Sequence, residues 1–64
     1  MMDHDEAVEM VDFAVVYRGI LTEWEETFVD NMMEKLDKGR DYELTEKQAE
    51  ALERIYKKCQ RRHQ

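Results

Sequence analysis

The sequence predicts an all-α fold, a small three-helix protein whose second and third helices form an antiparallel helical hairpin. Three observations carry that expectation. The 64 residues contain no proline, and the two glycines, Gly19 and Gly39, sit where helical patterns stop. Asn-Gly and Asp-Gly, the dipeptides that favour tight hairpin turns between strands, are absent. Two stretches open with a Thr-x-x-Glu/Gln capping signature, Thr22 to Glu25 and Thr45 to Gln48, each ahead of apolar residues at helical spacing.

The first helix is expected over residues 3–18. Asp3 is the N-cap, Glu6 its capping-box partner, and the early acids Asp5 and Glu6 suit the positive end of the helix dipole. Ala7, Val8, Met10, Val11, Ala14 and Val15 share one face at about 100° per residue. Glu9 and Asp12 mark the solvated side. Phe13, Val16 and Tyr17 widen the apolar surface beyond one stripe, so this helix should be covered on more than one side. A strand over 11–17 is the rival reading, because β-branched and aromatic residues crowd there.

The second helix is expected over 23–38. Thr22 caps it, and Trp24, Phe28, Val29, Met32, Met33 and Leu36 recur at helical spacing. Lys35 and Lys38 complement the dipole in the last turn, and Gly39 follows as a C′ residue able to take positive φ. Phe28 and Leu36 are assigned to the core, with Leu52 from the third helix. The linker of residues 40–44 is short, which favours an antiparallel pair with the first helix lying across both partners. The third helix is expected over 46–61, capped by Thr45, with Ala49, Leu52, Ile55, Tyr56 and Cys59 as its apolar stripe. Glu50–Arg54 and Glu53–Lys57 are acid-before-base pairs at i,i+4. Residues 60–64 should fray.

The chain is read as one domain, 1–64. At about 60 residues only roughly 60% of the unfolded surface is buried, so such a fold needs a staple. Cys59 is the lone cysteine and excludes an internal disulfide. Helix packing and self-association remain, and the excess apolar surface of the first helix points to a homodimer. A single cysteine and an acidic N-terminus where a secretory signal would be basic point to the cytoplasm. The longest uninterrupted apolar run, 13–17, is far below the roughly 18 residues of a membrane span.

Charge is unevenly distributed. The net charge is −6, and residues 1–30 hold nine acids against one base, Arg18. From Arg54 onward there are five bases and no acid. Two binding surfaces follow. Asp5, Glu6, Glu9 and Asp12 form a candidate acidic partner-binding face, suited to docking on the basic groove of a nucleic-acid-processing enzyme. Arg54, Lys57, Lys58, Arg61 and Arg62 form a candidate nucleic-acid contact, with Tyr56 placed to stack. The plainer readings are a solubilising acidic surface and a helix end whose bases answer the dipole. Trp24 and Met33 are candidate exposed apolar contacts, since aromatic residues and methionine are enriched at interfaces.

Catalytic constellations are not visible. The chain has no serine. Cys59 lies on an apolar stripe, where a buried small hydrophobe is the expected role. His63, one turn on, sits on a helix end too loose to hold catalytic geometry. His4 with Asp3, Asp5 and Glu6 lacks the spacing of a metal site. Two isolated glycines at helix ends do not make a phosphate-cradling loop. No catalytic, cofactor-binding or metal-binding residue is assigned, and the protein is expected not to be an enzyme.

The stretch Leu21-Thr22-Glu23-Trp24-Glu25-Glu26-x-Phe28-Val29, then Leu44-Thr45-Glu46-Lys47-Gln48 and Leu52-Glu53-Arg54-Ile55-Tyr56, resembles a helical hairpin of small bacteriophage and prophage proteins and of helical appendages on phage replication and recombination proteins. It covers about residues 20–60. The resemblance implies a phage or mobile-element origin and a setting in DNA metabolism or host takeover, and it carries no catalytic residues. The expectation is a phage-type regulator or inhibitor that binds a nucleic-acid-processing protein. The alternative is a nucleic-acid-binding accessory protein that uses its basic helix end.

Overall fold

The computed structural model describes residues 2–39 and 42–63; Arg40 and Asp41, within the expected linker, lie outside them. Three α-helices follow in order: α1 (His4–Val16), α2 (Glu23–Lys38) and α3 (Glu46–His63), with a short 3-10 turn (Arg18–Ile20) between α1 and α2. No strand occurs among the described residues. The crowded 11–17 segment is therefore helical up to Val16: burial against two neighbours outweighs its β-branched composition.

Each start is written locally. Asp3 Oδ1 accepts from the Glu6 N–H at 2.8 Å and caps α1. Thr22 Oγ1 accepts from the Glu25 N–H at 3.2 Å, while Glu25 Oε1 accepts from the Thr22 N–H at 2.8 Å, a reciprocal capping box. Thr45 and Gln48 repeat it at 3.1 and 2.9 Å. The Tyr42 hydroxyl also donates to Gln48 Oε1 at 2.8 Å, tying the linker to the start of α3.

The ends differ from expectation. The first helix stops at Val16 rather than at 18: the Tyr17 N–H reaches Ala14 O and Val15 O, and the chain tightens into the 3-10 turn. Gly39 was expected in the left-handed region but is extended, with φ −158° and ψ 126°. The Tyr42 N–H donates to Gly39 O at 3.3 Å. The helix α3 runs on to His63, two residues beyond its expected end.

Packing follows from residue size. The buried residues of α1 are Ala7, Val11 and Ala14, one stripe at i, i+4 and i+7. Small side chains let neighbours approach closely, and α1 is accordingly the helix that packs closely against both others. Val29, Met32 and Leu36 of α2 and Leu52, Ile55 and Cys59 of α3 close over that stripe, with Leu44 from the linker. Phe28, expected in the core, is only half-buried and packs at its edge.

The topology is up-down-up. Glu25 at the start of α2 meets Lys58 near the end of α3, so those two helices are antiparallel. Phe13 meets Tyr56 edge to face, ring centroids 5.2 Å apart, while Met2 and Met10 share a groove with Leu44 and Ala49. Hence α1 and α3 run parallel. One end of the molecule gathers the starts of α1 and α3; the other gathers the start of α2, the end of α3 and the 3-10 turn.

Candidate functional site

The end that carries the starts of α1 and α3 is strongly acidic. Asp5, Glu9 and Asp12 lie at i, i+4 and i+7 on α1 and form one exposed stripe. Val16, three-quarters exposed, extends that stripe by one turn. Glu6, also exposed, turns away from it toward α3. The four carboxylates assigned from sequence thus divide three and one. Among the described residues no ion pair engages any of the four. First-turn acids answer the helix dipole, but its influence fades beyond the first turn. Glu9 and Asp12 have no such structural use.

Between α1 and α3 the same end opens into a groove of about 590 Å³. Its floor is Met2, Met10, Leu44 and Ala49. Its rim is Glu6, Glu46, Glu50 and Glu53, all exposed. This site escaped sequence reasoning, although a signal was present. Met2 and Leu44 each stand just before an N-cap, the position from which an apolar residue folds back over the first turns of its helix. Two such positions set side by side by parallel helices make an apolar floor, and the first-turn acids make its rim.

The opposite end is charged, and part of its charge is paired. The Arg18 guanidinium donates to Asp30 and lies 3.6 Å from Glu26. Lys58 Nζ donates to Glu25 Oε1 at 2.7 Å, the same oxygen that accepts from the Thr22 N–H. Burial pushes the Glu25 carboxyl up, but the hydrogen bonds from Lys58 and Thr22 outweigh it and hold the group below its ordinary value. Lys57 is 3.3 Å from Glu53, as its i,i+4 spacing implies. Of the five bases assigned to nucleic-acid contact, Arg54, Arg61 and Arg62 are exposed with no ion pair among the described residues, whereas Lys58 is committed to α2.

The aromatic residues also sort differently from expectation. Tyr56 is half-buried in a cluster with Phe13, whose ring is in turn 5.1 Å from Tyr17. Trp24 is the exposed aromatic, 64% accessible and stacked on Phe28 at 5.4 Å with 12° between the planes. It stands beside Glu25, at the end where α3 finishes. Met33 is half-buried against the core.

Cys59 is fully buried. Burial pushes its thiol up, the Glu25 charge adds to that, and Lys58 opposes it, so the thiolate needed by a nucleophile is disfavoured. The His63 side chain, set one turn away by the sequence, lies outside the described residues. His4 Nδ1 is buried without a hydrogen-bond partner. Among the described residues no group of three His, Cys, Asp or Glu could hold a metal ion, and no helix is long and apolar enough to cross a membrane.

The chain matches no protein-family model, no curated protein and no solved structure.

Proposed function

We propose that this chain is a small non-catalytic regulator or inhibitor of bacteriophage type, acting in the bacterial cytoplasm by binding a nucleic-acid-processing protein through its acidic end. The observation that carries the reading is the contrast between the two ends. Arg18 and Lys58 pair with Glu25, Glu26 and Asp30 of α2, leaving Glu23 as the exposed acid there with no ion pair among the described residues, while Asp5, Glu6, Glu9 and Asp12 all stand exposed and uncompensated. A concentrated negative surface of this kind competes for the basic groove in which an enzyme holds nucleic acid. Opposite fields speed and orient the encounter, and contact among apolar groups supplies lasting affinity. Exposed Val16, one turn beyond Asp12 on the acidic stripe, is the side chain available for that contact, and exposed Trp24, at the opposite end, is available for a homodimer seam.

The test is affinity capture from nuclease-treated bacterial lysate with the wild type and with the D5N/E6Q/E9Q/D12N variant. Basic nucleic-acid-binding proteins should be retained by the first and lost from the second. Equal capture by both would overturn the reading.

A second reading is favoured by Trp24, which stands exposed at the same end as Arg61 and Arg62, with Arg54 further back along α3: a nucleic-acid-binding accessory protein. Stacking on an aromatic beside phosphate-binding bases is how single strands are held. Titration with labelled single-stranded DNA would then show steeply salt-dependent binding that the R54Q/R61Q/R62Q variant loses.

A further inference from the structure

We infer that the groove between the first halves of α1 and α3 is a receptor for a basic amphipathic helix of a partner protein. The inference rests on the protein-binding reading above and gives it a second site that shares only Glu6 with the first: the stripe of Asp5, Glu9 and Asp12 on α1 faces solvent, and the groove opens beside it toward α3.

Three features select this occupant. The floor joins two methionines, Met2 and Met10, to Leu44 and Ala49. Methionine is unbranched and polarizable, and it fills irregular space against varied apolar side chains. The groove is open along one side and offers about 590 Å³, room for side chains of a partner laid over it. Apart from the neutral Thr45 the rim is acidic, which selects a cationic partner and repels an acidic one.

The spacing of the rim gives the shape of that partner. Glu46, Glu50 and Glu53 lie at i, i+4 and i+7, so they line one edge for about 10 Å of α3 at 1.5 Å per residue. A helix lying along the groove repeats its own side chains at the same interval. Lysines or arginines at i, i+4 and i+7 then meet the rim while the adjoining apolar stripe meets the floor, the arrangement by which amphipathic helices enter grooves. An extended strand spaces its same-face side chains evenly at about 6.6–6.8 Å, a looser match to the rim's steps of about 6.0 and 4.5 Å. Lys57 neutralises part of Glu53, leaving Glu6, Glu46 and Glu50 as the uncompensated rim charges.

The test is a titration of the full chain with an amphipathic Leu/Lys peptide of about 18 residues, long enough to hold a helix. A peptide of the same composition with its amphipathic order scrambled is the control. Binding is read by fluorescence anisotropy and mapped by the methyl resonances of the methionines. The ordered peptide should bind more tightly than the scrambled one and shift Met2 and Met10, leaving Met32 unmoved. E46Q/E50Q/E53Q should bind about tenfold more weakly. A49W, checked for folding by circular dichroism, should fill the floor and block binding. D5N/E9Q/D12N, which alters only the outer stripe, should keep it. Failure of the regulatory reading is thus distinguishable: the lysate capture can prove indifferent to the stripe while the groove still takes the peptide.

Equal affinity for the scrambled peptide would overturn the inference, since it would reduce the groove to a charged surface. Shifts that miss Met2 and Met10 would do the same. A concentration-dependent dimer lost in E46Q/E50Q/E53Q would assign the groove to the basic helix end of a second copy instead.

Discussion

Glu25 offers the sharpest test of how this small fold is held. One oxygen of its carboxylate serves two elements: it accepts from the Thr22 N–H at 2.8 Å and from Lys58 Nζ at 2.7 Å. Substitution by alanine removes both; substitution by glutamine removes only the charge, because an amide oxygen still closes a capping box. Gln48 does that for α3 in this same molecule. Thr22 Oγ1 keeps its bond from the residue-25 N–H in either variant, so what alanine loses is the reciprocal hydrogen bond, about 1 kcal/mol. The Glu25 side chain is 19% accessible but Lys58 is 40%, so solvent screens the pair and about 0.5–1 kcal/mol is appropriate. E25Q should therefore cost about 0.5–1 kcal/mol and E25A about 1.5–2 kcal/mol at pH 7. Against a total of roughly 3–10 kcal/mol for a chain of this size, both are measurable by urea denaturation. The pH dependence has a definite sign. The folded-state pKa lies below the ordinary 4.5, so the stabilisation is complete above that value and is lost as pH falls through the lowered one. The E25Q penalty should then disappear in acid, and a double-mutant cycle with K58M should return the same coupling energy at pH 7. A glutamine variant as costly as the alanine variant, or a penalty unchanged in acid, would refute the division into cap and ion pair.

Three further expectations rest on other parts of the fold. Gly39 is extended, and a Cβ there meets nothing within 4 Å, so G39A should stabilise by about 0.4–1 kcal/mol through the unfolded chain, read as a raised urea midpoint. Ala14 is fully buried where α1 meets its neighbours, so A14L should overpack the core and cost about 1–3 kcal/mol in the same assay. Cys59 should resist a thiol reagent in native buffer and react promptly in denaturant; fast native labelling would contradict its burial and its raised thiol pKa.

The residues show which features were legible in the sequence. The three helix starts were readable because a cap is a local bargain between a side chain and an N–H three residues away. The i,i+4 pair Glu53–Lys57 was readable for the same reason. The α1 stop was not, since Tyr17 leaves the helix through bonds to two carbonyls that no residue type announces. Gly39 was read by its freedom to take positive φ, but it is extended, a conformation any residue adopts. The division of labour among charges was hidden because Glu25–Lys58 joins residues 33 apart, and only the fold brings them together. Tyr56 and Trp24 both looked like stacking groups. Packing against Phe13 draws Tyr56 inward, and the absence of a facing helix leaves Trp24 outside. The groove required knowledge that α1 and α3 run parallel, which hydrophobic periodicity does not encode.

The central claim is that the uncompensated acidic end, rather than the basic end of α3, is the binding surface. It is tested most directly by side-by-side lysate capture, after nuclease treatment, with D5N/E6Q/E9Q/D12N and with R54Q/R61Q/R62Q. Loss of captured protein from the acid-neutral variant, with retention by the base-neutral one, is the result expected. Retention by the acid-neutral variant with loss from the base-neutral one would contradict the claim and move the function to the end of α3.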